Sequence, residues 1–232
     1  MSEPAGMGGS GMRAVALAAI GVIVLAAGTT WWALRGPAGD AATAAGAKAV
    51  DAPDPSNEGL RVSVTGMPTF DAGAVDDELR IATHATVLLR DVEMYQWQEQ
   101  CVANGCAQRG AWSASLIDSS TFKEKTGNRN PATLPFGSRM FTATSVRLRG
   151  FSIEPAVLAG VAARPRPASA GELPPNLAAI FRDDGGALYS GEDIANPAIG
   201  DLRVRFRVST DAVVTLSGVQ RGQSLVATAI PD

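Results

Sequence analysis

Cysteine and histidine are nearly absent from this sequence. Among its 232 residues there are two cysteines, Cys101 and Cys106, and one histidine, His84. A zinc site of the usual kind needs four Cys or His ligands, so these three residues cannot build one alone. A nucleophile activated by histidine would have to use His84, since the chain offers no other. The sequence therefore shows no catalytic constellation, and it predicts a non-enzymatic protein without a metal or a cofactor.

An excess of positive charge is also lacking. The chain carries 20 Lys and Arg residues against 23 Asp and Glu residues, which gives a net charge of −3. Proteins that bind nucleic acid usually carry basic surfaces that neutralise phosphates. The overall charge gives no such indication, and nucleic acid is not an expected partner.

One long uncharged segment is present near the amino terminus, at residues 14–34. A helix of this length spans about 30 Å, the thickness of the hydrocarbon core of a bilayer. Trp31 and Trp32 stand near its end, where indole rings favour the headgroup layer. The segment predicts one transmembrane helix after a short tail at residues 1–13, and a cleaved signal peptide is the alternative.

The lipid bilayer is therefore an expected partner, contacted through this helix. A short tail ahead of the only long apolar segment is easily left in the cytoplasm while the remainder crosses. We expect a single-pass membrane protein whose large domain lies on the non-cytoplasmic side, periplasmic in a bacterium and lumenal in a eukaryote.

Two regions follow the apolar segment. Residues 35–59 are rich in Ala, Gly, Pro and Asp, a composition typical of a flexible linker. Across residues 60–232, short runs alternate apolar and polar residues between turn signals. This pattern predicts a mainly antiparallel β (α+β) ectodomain with small helical additions. Short helices are predicted at residues 155–163 and 119–127, the second capped by Ser119 or Ser120.

The two cysteines flank the sequence Val-Ala-Asn-Gly, and the Asn-Gly pair favours the turn of a β-hairpin. Cysteines that face each other across such a turn approach closely enough for a disulfide. A non-cytoplasmic compartment permits the oxidation. Cys101 and Cys106 are therefore candidates for a disulfide, and two free thiols in a reducing compartment are the alternative.

Tyr95 and Trp97 stand out because aromatic residues are scarce in this chain. In a strand, residues two apart point to the same face. The pair is a candidate interaction surface, and burial in the core or beneath a loop is the alternative. His84 lies between threonines in an alternating run, which favours a structural role over a catalytic one. Asp118 with the two serines that follow it is better explained by helix capping than by a nucleophile site.

Arg203, Arg205 and Arg207 alternate with apolar residues, so their side chains share one face of a strand. Arg147 and Arg149 do the same in another segment. If the two strands are neighbours, they form a basic face that binds anionic lipid headgroups or an acidic partner. A solvated face with nearby carboxylates is the alternative.

Several segments, in order, resemble one protein family. They are "RVSVTG" at residues 61–66, "LLRDVEMYQWQEQ" at 88–100, "WSASLIDSSTF" at 112–122, "TGNRNP" at 126–131, "IGDLRVRF" at 199–206 and "QRGQSLV" at 220–226. Together they resemble the transmembrane protein 43 family, also called LUMA, over about residues 12–227.

The resemblance implies a membrane protein with an amino-terminal transmembrane helix and a large lumenal domain. Further carboxy-terminal helices are typical of the family, and we expect a short form that ends where they would begin. The resemblance also implies a scaffold that organises membrane protein complexes, with a membrane protein partner or a homo-oligomer. No catalytic residues are known for the family. The alternative function is an envelope enzyme or small-ligand-binding protein with a pocket near His84.

Overall fold

The computed structural model describes residues 46–228. Its strands, in chain order, are β1 (Lys48–Ala49), β2 (Arg61–Gly66), β3 (Val75–Asp76), β4 (Ile81–Ala82), β5 (Val87–Val102), β6 (Gly105–Ser113), β7 (Arg139–Thr142), β8 (Arg147–Leu148), β9 (Phe151–Ile153), β10 (Ala163–Arg166), β11 (Arg182–Asp184), β12 (Ala187–Tyr189), β13 (Leu202–Ser209), β14 (Val214–Arg221) and β15 (Ser224–Val226). Its helical segments are four 3₁₀ helices, Pro55–Asn57, Ser119–Thr121, Pro155–Gly160 and Ala170–Glu172, and one α-helical turn, Pro175–Ala178.

These strands form two large sheets and one small hairpin. The first sheet has the order β1-β2-β14-β15-β9-β8. The second has the order β11-β12-β13-β5-β6, with β10 beside β13 and β7 beside β5. The β3–β4 pair is separate, and only β1–β2 and β15–β9 are parallel. The prediction of a mainly antiparallel β domain with small helical additions is confirmed.

The predicted tail, the predicted transmembrane helix at residues 14–34 and the first part of the linker lie outside the described residues. Across residues 46–228, none of the helices has the length and apolar character needed to cross a membrane.

Alternation along β13 places its apolar side chains in the core of the second sheet. Leu202, Val204 and Phe206 are buried, and they pack with Val92 and Met94 of β5. Each such side chain contributes roughly 1.5–3 kcal/mol when fully buried. This face of the sheet is the inner face, and the opposite face, which carries the odd-numbered residues of β5 and β13, is called the outer face below.

A buried charged residue, Arg90, lies on the inner face and is 2% exposed. Its Nη1 atom lies 2.7 Å from Oδ2 of Asp76, which is also buried, and its other Nη atom pairs with Glu78. Nε donates to the carbonyl oxygen of Gly137 at 2.9 Å, and the guanidinium carbon lies 5.4 Å from the ring centroid of Phe141. Each nitrogen therefore has a partner, which offsets the cost of removing the charge from water.

The predicted linker at residues 35–59 is described from residue 46 onward. Here β1 pairs with β2, and Nζ of Lys48 donates to Oδ1 of Asn57 at 2.7 Å. Asn57 is only 2% exposed. The folded domain therefore begins before residue 60, because polar side chains of this segment find hydrogen-bond partners on the first sheet.

The two predicted helices are shorter than expected. Residues 155–163 form the 3₁₀ helix Pro155–Gly160 followed by the start of β10, and residues 119–127 form only the turn Ser119–Thr121. The cap of that turn is Asp118 rather than a serine, since its Oδ1 accepts from the N–H of Ser120 at 2.9 Å. Neither segment has an apolar stripe long enough to sustain an α-helix against the sheets.

Candidate interaction surface

The outer face of the second sheet is built by β5, the longest strand, which has 16 residues. Its first half is flanked by β13, whose pairing with β5 starts at Leu202 opposite Met94. Its second half pairs with β6 alone as far as Val102 opposite Gly105. We call this two-stranded extension, residues 96–113, the arm.

The three alternating arginines of β13 lie on the outer face, beside two carboxylates of β5. Nη2 of Arg203 and Nη1 of Arg205 lie 2.8 and 2.9 Å from Oε2 of Glu93. Nε of Arg207 lies 2.9 Å from Oδ2 of Asp91. Three guanidinium groups thus face two carboxylates, so the face keeps little net charge. This paired arrangement matches the alternative reading of the arginine pattern.

Arg205 is the most exposed of the three, with 43% of its side chain accessible. It shares Glu93 with Arg203, so the carboxylate keeps a partner when Arg205 turns toward another molecule. Exposed ion pairs of this kind contribute at most about 1 kcal/mol each. Turning the Arg205 side chain toward a binding partner therefore costs little free energy.

Arg147 and Arg149 do not join this face, so the predicted combined basic face is not formed. Arg147 lies in β8, at the end of the first sheet. Arg149 follows β8 in a turn with φ of 50°, and its Nε donates to the carbonyl oxygen of Thr65. The expectation failed because strand alternation does not reveal which sheet a strand joins.

An aromatic cluster adjoins the arginines on the outer face. The ring centroid of Trp112 lies 5.3 Å from that of Tyr95 and 6.2 Å from that of Tyr189, both edge to face. The guanidinium carbon of Arg203 lies 4.4 Å from the Trp112 ring centroid, a cation–π contact. Tyr95 is half-buried, and Trp97 is half-buried on the same face.

Tyr189 anchors the cluster from β12. Its hydroxyl lies 2.5 Å from Oδ2 of Asp201 and 3.0 Å from the carbonyl oxygen of Asp193. Burial and the hydrogen bond to Asp201 raise the pKa of the Tyr189 phenol far above its ordinary value. The phenol therefore remains a protonated donor. Sequence reasoning missed both Trp112 and Tyr189, although each stands in a short alternating run.

A loop at residues 116–132 covers the β5 edge of the arm where β13 has ended. The side chain of Asn130 accepts from the backbone N–H of Trp97 at 2.7 Å and donates to its carbonyl oxygen at 2.8 Å. The Asn130 side chain therefore makes the two hydrogen bonds that the backbone of a neighbouring strand would make with Trp97. Sequence reasoning missed Asn130, even though it lies within the "TGNRNP" segment.

Two polar side chains of the arm hold the same loop. Glu99 accepts from the backbone N–H groups of Lys123 and Glu124 at 2.7 and 3.0 Å. Desolvation opposes ionisation of Glu99, but these N–H groups outweigh it and lower the pKa of the carboxyl group. Gln108 donates to the carbonyl oxygen of Glu124 and accepts from the amide of Asn128. The loop is thus fixed to the arm by hydrogen bonds from side chains of the arm to both backbone and side-chain groups of the loop.

The loop also borders an open cleft of about 730 Å³. Asp118, Lys125 and Asn128 are among the side chains that line it. Asp118 caps the turn, and Lys125 donates from Nζ to the carbonyl oxygens of Ser120 and Phe122. Asp118 and Lys125 thus make hydrogen bonds within the loop itself, and the cleft is open to solvent.

The cysteines lie at the tip of the arm. Cys101 and Cys106 oppose each other across the turn and form a disulfide. Next to them, Val102 is 76% exposed. The tip therefore presents a large apolar side chain to solvent.

His84 lies away from the arm. Its ring centroid is 5.2 Å from that of Phe70, in an edge-to-face arrangement. His84 lines neither the cleft beside the arm nor a second one between Pro53 and Gln223. His84 is exposed, and its contact with Phe70 gives no support to a pocket built around it.

Comparisons with known proteins agree on one family. The family model described as Transmembrane protein 43 matches residues 94–229. The chain is 28% identical to Transmembrane protein 43 of Rattus norvegicus over 195 residues, and 28% identical to that of Homo sapiens over 194. Each alignment covers 74% of this chain and 48% of the relative. Transmembrane protein 43 homolog of Drosophila melanogaster is 24% identical over 190 residues, which are 73% of this chain and 48% of the relative.

The chain thus spans about half the length of the curated relatives it matches. No solved structure matches it. The family match covers more than half of the sequence, and it includes most of β5, the whole arm, the loop that the arm holds and the arginine strand β13. The chain belongs to the transmembrane protein 43 family.

Proposed function

We propose that this chain is a membrane-anchored, non-enzymatic interaction protein that organises membrane protein complexes through its β-rich domain. Residues 14–34 provide the anchor, and the domain lies on the non-cytoplasmic side. The relatives are named as transmembrane proteins, which supports the membrane association. The uncharged stretch of sequence supports the position of the anchor.

The observation that carries the proposal is the composition of the outer face. Trp112, Tyr95 and Arg203 form a connected cluster, and Arg205 and Arg207 extend it along β13. Tryptophan, tyrosine and arginine are the residues enriched at the centres of protein interfaces. All five side chains are partly accessible. The face therefore combines preorganised anchors with room for a partner.

The test is affinity purification from detergent-solubilised membranes of the native host. Arg205→Gln removes an exposed guanidinium while Glu93 keeps its contact with Arg203, so the fold stays intact. We expect recovery of bound membrane proteins to fall about tenfold, the effect of losing an interface arginine.

The matched control is Arg221→Gln. Arg221 lies on the first sheet, is 62% exposed and approaches Glu58 at 3.8 Å. This variant should recover every partner of the parent chain. Equal recovery by the parent and Arg205→Gln would show that this face does not bind the partners. If the parent chain recovers no membrane protein at all, the scaffold role itself is wrong.

A further inference from the structure

The edge of β6 that faces away from β5 has no neighbouring strand among the described residues. On β5, the N–H of Trp97 points away from β6, toward Asn130, and the N–H of Tyr95 also points away. In an antiparallel pair of strands, two residues directly opposite each other either both point their N–H and C=O groups toward the other strand or both point them away from it. Gly110 and Trp112, the partners of Trp97 and Tyr95, therefore aim theirs outward from the sheet.

The same alternation applies along the whole strand, so Cys106 and Gln108 also aim their N–H and C=O groups outward. Within the part of the chain that the structure describes, no backbone hydrogen bond joins these four residues to another segment. They extend over about 20 Å. The opposite edge of the sheet is different, because β11 has only three residues and all of them are charged.

Edge strands are usually protected by lysine, proline, a bulge or a covering loop. The loop at residues 116–132 protects the β5 side of the arm, but β6 has no proline, no lysine and only one charged residue, Arg109. Its other members are mostly small. The β6 edge is therefore open to an additional strand.

Charge indicates what kind of strand fits. β6 has no acidic side chain, and Arg109 near its centre is exposed. The loop docked on Gln108 exposes Lys123, Lys125 and Arg129 against two carboxylates, Asp118 and Glu124. A second copy of this chain would bring the same cations together, whereas an acidic segment would pair with them.

We propose that the outer edge of β6 binds an extended, acidic segment of a partner protein as an additional strand of the second sheet. Main-chain hydrogen bonds supply the affinity, and the cations supply the preference for acidic sequences. This inference rests on the proposed interaction role and specifies the chemical class of the partner.

The probe is a fluorescent peptide of alternating Val and Glu, about seven residues long, the length of an ordinary strand. It is titrated by fluorescence anisotropy into the full chain in detergent micelles. One control peptide has Lys in place of Glu. A second control keeps the Val–Glu sequence but carries an N-methyl group on every backbone amide, so it cannot donate hydrogen bonds along either edge. We expect both controls to bind at least about tenfold more weakly than the probe.

Hydrogen exchange gives an independent readout of the binding position. The amides of Gln108, Gly110 and Trp112 should exchange rapidly in the free chain and more slowly when the Val–Glu peptide is bound. Amides of β11 should not change. Protection of β11 with none at β6 would overturn the assignment.

Arg109→Glu is the informative variant, since an exposed side chain can be replaced with little effect on folding. We expect it to weaken binding of the Val–Glu peptide at least about tenfold and to strengthen binding of the Val–Lys peptide. Arg182→Glu makes the same charge change at the opposite edge and should leave both affinities unchanged.

Three results would overturn the inference. They are equal binding of the N-methylated peptide, absence of Val–Glu binding at millimolar concentration, and prior protection of the β6 amides in a chain that sediments as a dimer. The last result would assign the edge to a second copy. If native partners still co-purify while the peptide fails to bind, the edge inference alone is wrong. If neither binds, the proposed function is wrong as well.

Discussion

Arg90 shows how a single charged residue is accommodated in the core of the second sheet. Asp76 is fully buried beside it, so each charge depends on the other. Replacing only one member leaves an uncompensated buried charge. The pair therefore specifies how the β3–β4 hairpin docks on β5.

Arg90→Ala should lower the free energy of unfolding by about 3–5 kcal/mol, the usual cost of breaking a buried pair. Denaturant unfolding of the full chain in micelles, followed by tryptophan fluorescence, measures this change. Replacing both charges, as Arg90→Met with Asp76→Leu, should recover much of the loss. A loss below about 1 kcal/mol for Arg90→Ala would mean that the pair does not stabilise the fold.

Gly110 has a steric role in the arm. A Cβ atom at this position would lie 2.5 Å from ring atoms of Tyr95. Gly110→Ala should therefore displace the aromatic ring and destabilise the domain by about 1–3 kcal/mol, as overpacking does. Gly137→Ala is the matched control, because nothing lies within 4 Å of its Cβ position. Thermal unfolding compares the two, and equal stability would contradict the close packing of Tyr95 over Gly110.

At the scale of elements, the alternation of apolar and polar residues predicted which side chains of a strand are buried. It did not predict which distant strands pair with each other. The buried positions of β13 followed from their pattern, and so did the hairpin that carries the cysteines. The position of Arg147 on the first sheet could not be predicted from the sequence pattern, because the pairing of distant strands depends on the whole chain. The role of Asn130 could not be predicted either. Asn130 bonds to the backbone of Trp97 only because β13 stops pairing with β5 before that residue.

Docking of the loop at residues 116–132 should depend on pH through Glu99. Its pKa is lowered in the folded chain, so the stabilisation is present above its ordinary value of 4.5 and is lost as the pH falls through the lowered value. Amide exchange of Lys123 and Glu124, corrected for the intrinsic rate, should accelerate in that acidic range. Glu99→Gln should remove the dependence, whereas persistence of the same profile in this variant would assign it to another group.

At the scale of the whole molecule, the described residues 46–228 form two large sheets and two clusters of buried apolar side chains. Val62, Val64 and Leu216 belong to the cluster of the first sheet, whereas Val92 and Val204 belong to that of the second. A mainly antiparallel β class followed from composition and alternation alone. The division into two sheets could not be predicted in this way, because it depends on long-range pairing such as that of β2 with β14.

Membrane topology is the prediction that involves the anchor and the folded domain together. Because residues 14–34 contain no charge and are long enough to cross a bilayer, a reporter fused after Asp232 should be active only on the non-cytoplasmic side. A reporter fused before residue 14 should show the reverse. Cytoplasmic activity of the fusion after Asp232 would invert the assignment of the two sides.

The continuity of β5 has a mechanical consequence. The same strand runs from the core to the tip of the arm, and seven of its residues pair with β13. Tension applied at the tip is directed along the strand, so it loads these hydrogen bonds together in shear instead of opening them one at a time. A pulling force on the arm is therefore transmitted along β5 to the centre of the domain, where the paired strand β13 resists it.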